Sequence, residues 1–236
     1  MSSPTVYVVT GATRGIGLQL VTQLAARPNT VIYAGYRTAP SADSDLAQLA
    51  AKQPEVVIPI KLTSGDQKDN AAAAEVIKAK FGKVDVVISN AGYCAPLKAI
   101  ADLTPKDIYS EFDINLIGGL VLFQNLVPLL QAAPSPKFIT ISSAAGSIAL
   151  ALGVPITSYG ISKASANFLA KKIDVDYPDI ISFPLHASEQ LGATLEQLGA
   201  ITPAESATGI LSLIDKATKE THGGKFWNVD GTELAW

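Results

Sequence analysis

The sequence predicts an α/β fold, a parallel sheet with helices on both faces. Short β-branched runs alternate with longer segments of helical spacing along the whole chain, and each parallel crossover requires such a helix. The strand-like runs also lack polar alternation, as expected of strands buried on both faces. No linker or repeat period divides the 236 residues, so a single domain spanning 1–236 is expected.

Thr5–Thr10 (TVYVVT) is the first strand and runs into Gly11-Ala12-Thr13-Arg14-Gly15-Ile16-Gly17. Ile16, Leu20, Val21 and Leu24 then recur at helical spacing until Pro28 ends the helix. Thr30–Tyr36 is the second strand, followed by a Ser/Asp-rich turn and a helix over Asp45–Lys52. Val56–Ile60 is the third strand, the alanine-rich run Asp66–Phe81 a helix, and Val84–Ser89 the fourth strand. Thr104-Pro105, an N-cap with proline in the first turn, opens a long helix to about Leu130. Phe138–Ser142 is the fifth strand, and Tyr159 lies on the helix after it. Ile180–Pro184 is the sixth strand and Phe226–Val229 the last. Between them, Pro203 starts a helix with Ile210, Leu213, Ile214 and Ala217 on one face.

Composition excludes several functions. Eighteen basic and 21 acidic residues leave a net charge of −3, which argues against nucleic-acid or anionic-membrane partners. Cys94 is the only cysteine, so no internal disulfide or cysteine-based metal cluster is expected, and no metal site is assigned. No apolar run reaches the roughly 18 residues of a membrane span, and no signal-like segment precedes the first strand. A soluble, cytoplasmic protein is the expectation.

The glycine loop stands where a dinucleotide fingerprint stands, although its spacing is G-x-x-x-G-x-G. Gly11 permits the turn, Gly15 leaves room for a pyrophosphate, and Gly17 lets the helix approach the strand. Free amides at the helix N-terminus favour phosphate. An NAD-binding protein often carries an acid at the end of the second strand, but here Gly35-Tyr36-Arg37 stands there. Arg37 and Arg14 would suit a 2′-phosphate, so NADPH/NADP+ is the expected cofactor.

A second constellation lies further on. Tyr159 and Lys163 are four apart on one helix, so phenol and ammonium lie on the same face. A nearby ammonium favours the phenolate and makes the tyrosine a usable proton donor. Ser143, at the end of the fifth strand, is placed to polarise a carbonyl oxygen.

TGATRGIG, Ser89-Asn90-Ala91-Gly92, Asn115, Ser143 and Tyr159-Gly-Ile-Ser-Lys163 resemble the short-chain dehydrogenase/reductase family in order and approximate spacing, from Thr5 to about Tyr177. The tail THGGKFWNVDGTELAW resembles fungal ketoreductases of the norsolorinic-acid type. The resemblance implies a three-layer, doubly wound Rossmann-like fold with a seven-stranded parallel sheet in the order 3-2-1-4-5-6-7. It implies a nicotinamide cofactor and a tetrad of Asn115, Ser143, Tyr159 and Lys163. Tyr159 would donate the proton, Ser143 would hold the substrate oxygen, and Lys163 would bind the nicotinamide ribose. Asn115 would hold a water that relays protons to Lys163. Gly11, Thr13, Arg14, Gly15, Ile16, Gly17, Arg37, Asn90, Ala91 and Gly92 would contact the cofactor, with Leu62 packed on adenine and Pro184 at the nicotinamide end. Ser142 competes with Ser143; the S-x-x-G form favours Ser143.

Three departures stand out. Lys61-Leu62 replaces the usual acid after the third strand, and the Ser143–Tyr159 span is a few residues longer than usual. Pro184-Leu185 replaces Pro-Gly, and Thr194 comes too late to replace the threonine that usually follows. The implied activity is carbonyl reduction. The altered loop motivates an alternative, a non-redox cyclase, isomerase or dehydratase. Leu97, Ile148, Leu150, Leu152 and Leu191 suggest a hydrophobic substrate such as a polycyclic ketone. His186, Cys94, His222 and the C-terminal Phe226, Trp227 and Trp236 read as structural, His222 without an identifiable partner. Leu120, Val121, Phe123, Leu126, Phe168 and Leu169 suggest a homodimer or homotetramer joined through the long helices.

Overall fold

The β-branched runs form strands and the 3.6-period segments form helices in the computed structural model, which describes residues 3–187 and 201–236. The strands are β1 (Thr5–Val9), β2 (Thr30–Tyr36), β3 (Val57–Lys61), β4 (Val86–Ser89), β5 (Lys137–Ser142), β6 (Ile181–His186), β7 (Phe226–Asn228) and β8 (Glu233–Leu234). Their order is β3-β2-β1-β4-β5-β6-β7-β8. The first seven pair in parallel as expected, but an eighth strand adds antiparallel to β7. Two residues are too short for a periodic signal; the Asn228–Thr232 turn brings β8 back, with Gly231 at φ 92°.

Alternate residues of the strands feed two cores, one per face. Tyr7, Val9, Ile32 and Ala34 pack under Leu20 and Leu24 of α1 (Gly15–Ala25), Leu46 of α2 (Asp45–Lys52), and Ile210 and Ile214 of a later helix, Pro203–Lys216. Val6, Val8, Val31 and Tyr33 face Ala73 and Ile77 of α3 (Gln67–Phe81) on the other side. Each fully buried Val, Leu, Ile or Phe contributes about 1.5–3 kcal/mol by leaving water, so both helical layers are needed.

The long helix expected from Thr104 to Leu130 is interrupted. It begins as α4 (Pro105–Phe112), capped reciprocally by Thr104 and Asp107, passes through a π turn at Asp113–Ile117, and continues as α5 (Gly118–Gln131). Lys98, then Thr104, hold the Asp107 carboxyl down at about 2. Taken together, Pro105–Gln131 is long and apolar enough to cross a membrane, contrary to the sequence expectation. Here its Leu122, Leu126, Leu129 and Leu130 enter the second core.

Val121, Phe123 and Leu126 are buried in the monomer and offer no subunit surface, because an all-round apolar helix does not reveal which face meets the sheet. Tyr109, Ile117, Ile161 and Phe168 are among the exposed apolar groups of that layer, Phe168 at 68%. The remaining helices are α6 (Thr157–Asp176), α7 (Pro203–Lys216) and α8 (Lys219–His222).

β6 runs two residues past Pro184, to His186. Proline survives there because β7 pairs only with Leu185 and His186, so no strand needs an N–H from residue 184 on that side.

Candidate active site

β1 is flanked by β2 on one side and β4 on the other, so connections diverge at their carboxyl ends. That is where ligands bind in open α/β sheets. A cleft of about 720 Å³ opens there, lined by Gly11 to Gly17 except Ala12, and by Tyr36, Arg37, Asn90 to Tyr93, Ile114, Ile201 and Pro203. Its glycines differ in what they do. Gly15 has φ 56°, and a Cβ there would meet nothing within 4 Å, so the space beside it is open. A Cβ on Gly17 would lie 2.2 Å from the Gly11 carbonyl oxygen, so only glycine lets α1 sit this close to β1.

Asn90 fastens the loop from the β4 side. Its Nδ2 donates to the Thr10 carbonyl at 2.9 Å, while the Thr10 hydroxyl accepts from the N–H groups of Asn90 and Ala91. Asn90 Oδ1 is buried without a partner and remains an unused acceptor. Arg14 and Arg37 are the charged residues among those described on the wall, and no carboxylate joins them there.

The second half of the site lies against Gly92. A Cβ on Gly92 would come within 3.4 Å of Lys163 Nζ and 3.5 Å of Asn115 Oδ1, so the bare glycine joins the cleft to both. Lys163 is 3% exposed and donates to the Ile141 carbonyl at 2.8 Å. Its Nζ lies 5.5 Å from the ring centroid of Tyr159, which is equally buried. Asn115, in the π turn, accepts from the Tyr93 N–H and donates to the Tyr93 carbonyl and to Ser162 Oγ, each at 2.8 Å. π turns of this kind recur at functional sites.

The two adjacent serines part company here. Ser142 Oγ donates to Asn167 Oδ1 in the interior, whereas Ser143 Oγ accepts from the Ala145 N–H at 3.2 Å. Ser143 opens a tight turn, Ala144–Gly146, that docks on α6. A Cβ on Gly146 would lie 2.8 Å from the Lys163 carbonyl carbon, and one on Gly160 would lie 2.8 Å from the Ala145 oxygen. The S-x-x-G spacing thus reflects backbone contact with the helix that carries Tyr159 and Lys163.

Of the sequence-predicted cofactor residues, Tyr159 and Lys163 lie behind Gly92 rather than on the cleft wall, and Leu62 and Pro184 do not reach it. Leu62 points into the core under Gly35, where its Cδ1 comes 3.0 Å from where a Cβ would stand. Pro184 is buried inside β6 opposite Thr140. Leu185, which stands where Pro-Gly has its glycine, is likewise a buried residue of β6, and Leu191 and Thr194 lie outside the described residues. Conversely, Tyr36, Tyr93, Ile114, Ile201 and Pro203 line the cleft unforeseen. Tyr36 and Tyr93 each adjoin a recognised motif, while Ile201 and Pro203 arrive only because α7 packs on α1. His222 has partners after all, its ring tilted against Phe183 and Trp227 with Nδ1 on Thr221 Oγ1.

Residues 5–180 match the sequence profile of the short chain dehydrogenases. The chain is 36% identical to the short chain dehydrogenase gsfK of Penicillium aethiopicum, over 99% of this chain and 100% of that protein. It is 32% identical to the norsolorinic acid ketoreductase stcE of Emericella nidulans, over 98% of this chain and 94% of that one. The NADPH-bound carbonyl reductase from chicken fatty liver superposes with a TM-score of 0.89 at 30% identity, covering 100% of both chains.

Proposed function

The chain belongs to the short-chain dehydrogenase family, and we propose that it is an NADPH-dependent carbonyl reductase acting on a hydrophobic, polycyclic type of ketone. The observation that carries this reading is the meeting of Lys163 and Asn115 at Gly92, on the wall of the dinucleotide cleft. The unused Asn90 Oδ1 and the open space at Gly15 fit a bound dinucleotide. Arg14 and Arg37, with no carboxylate among the described lining residues, favour the 2′-phosphorylated form.

When bound, a reduced nicotinamide supplies the hydride for the carbonyl carbon. Tyr159 gives its phenolic proton to the carbonyl oxygen as negative charge develops there. Ser143 holds that oxygen by a hydrogen bond, since its hydroxyl hydrogen is not spent on Ala145. Lys163 offsets the charge left on the phenolate and holds the nicotinamide ribose. Asn115 clamps the Tyr93 backbone and holds the water that passes protons to Lys163. The reading extends to a cytoplasmic homodimer or homotetramer that covers Tyr109, Ile117, Ile161 and Phe168.

The test is NADPH oxidation against a panel of aromatic and aliphatic ketones, with the alcohol quantified. Equal amounts of NADP+ and alcohol are expected. Turnover of a carbonyl compound with no cofactor consumed would instead place the protein among non-redox relatives.

A further inference from the structure

The Ser143 turn is anchored to α6 through Gly146 and to the interior through Ser142, but its middle hangs from a different element. The Ala144 N–H, next in the chain after Ser143, donates to Nδ1 of His186 at 3.1 Å. His186 ends β6, where it pairs with Ser142 on one side and Asn228 on the other, and its carbonyl accepts from the Val229 N–H at 3.0 Å. The half-buried ring is therefore fixed by the sheet, and Nδ1 is an acceptor only in the neutral ring protonated at Nε2. We propose that His186 is a positioning residue, holding the Ser143 turn through the Ala144 N–H and releasing it when the imidazole is protonated. This inference rests on Ser143 being the serine that holds the substrate oxygen.

An imidazolium carries N–H on both nitrogens, so protonation sets two donors against each other at Ala144. Burial, opposed by the Asp230 charge, holds His186 below the ordinary histidine value. Neutral imidazole therefore persists through neutrality, and the contact is lost as pH falls below that range. The other charged groups on neighbouring elements are engaged elsewhere among the described residues. Lys163 is on the Ile141 carbonyl, with Tyr159 beside it. Lys171, Asp174 and Lys219 gather at the opposite end of β6, His222 packs on Phe183, and Glu205 caps α7.

The test is kcat and KM for 4-nitrobenzaldehyde with NADPH across the acid range, in wild type, His186→Leu, His186→Asn, Ser143→Ala and the Ser143→Ala/His186→Leu double variant. His186→Leu should lower kcat about 10–100-fold, the scale of a misplacement of about 1 Å, with NADPH affinity retained. His186→Asn offers an amide oxygen near the Nδ1 position, so kcat should return close to wild type and the acid limb should vanish. In the Ser143→Ala background, His186→Leu should add nothing further, because its effect passes through Ser143. An unchanged acid limb in His186→Asn, or additive losses in the double variant, would overturn the proposal while leaving the reductase reading intact. Wild-type turnover by Ser143→Ala would overturn the assignment of that serine and this inference together. Should His186→Leu fail to fold, the pH profile of His186→Asn decides alone.

Discussion

The two walls of the site are built from opposite materials. On the dinucleotide side the surface is mostly main chain, Gly11 to Gly17 and Asn90 to Gly92, and its charged groups Arg14 and Arg37 stand exposed. On the other side the groups proposed to do the chemistry are side chains, with Asn115, Ser143, Tyr159 and Lys163 all buried. A buried ammonium is tolerated only when hydrogen-bonded or paired, and Lys163 is held by the Ile141 carbonyl. The difference teaches where change is tolerated. On the proposed reading, cofactor preference would sit on exposed groups, whereas the chemistry would sit on groups buried in the fold.

The largest effect should come from Tyr159→Phe, which removes one hydroxyl from the catalytic wall. Turnover should fall by about 10²–10⁴-fold, the usual contribution of a positioned acid, with NADPH binding by fluorescence titration unchanged. Near wild-type turnover would break the assignment of the proton donor.

Lys163→Met tests whether one residue serves both walls. It should lower turnover and weaken NADPH binding together, because Lys163 adjoins both Tyr159 and Gly92. A loss confined to turnover would show that the walls do not share this group.

Arg37→Asp acts on the exposed wall alone. A charge-assisted contact is worth about 1.5–3 kcal/mol, so the NADPH/NADH ratio of dissociation constants should move by roughly 10–150-fold. The melting temperature without cofactor should stay put. Equal affinities for both cofactors in the wild type would dispose of this account of the arginines.

The smallest functional effect is expected at Ser142. Ser142→Ala leaves Asn167 Oδ1 buried without its donor, which should cost about 1–3 kcal/mol of stability while turnover changes little. Ser143→Ala should do the reverse. Denaturant unfolding beside steady-state rates separates the two, and an exchange of roles would reassign the catalytic serine.

Much of this was legible from the chain because it depends on near neighbours. The 3.6-residue and buried-strand patterns place each principal helix and strand, and Tyr159 and Lys163 share a face through helical geometry alone. The glycine loop announces itself between β1 and α1, since Gly15 at φ 56° and Gly17 against Gly11 need glycine for local reasons. Family resemblance then supplied the roles.

What the sequence by itself determined was the alternation of elements, the glycine turn between β1 and α1 and the phenol–ammonium pair. Only the tertiary structure decided that β6 continues to His186, that Leu62 turns inward, and that Ser142 faces Asn167 while Ser143 opens the turn. It alone brought His186 to Ala144, 42 positions earlier, and Lys163 to Gly92. The physical reason is range. Backbone periodicity and turn stereochemistry act over a few residues, whereas these choices depend on which distant backbone a side chain meets once the sheet has closed.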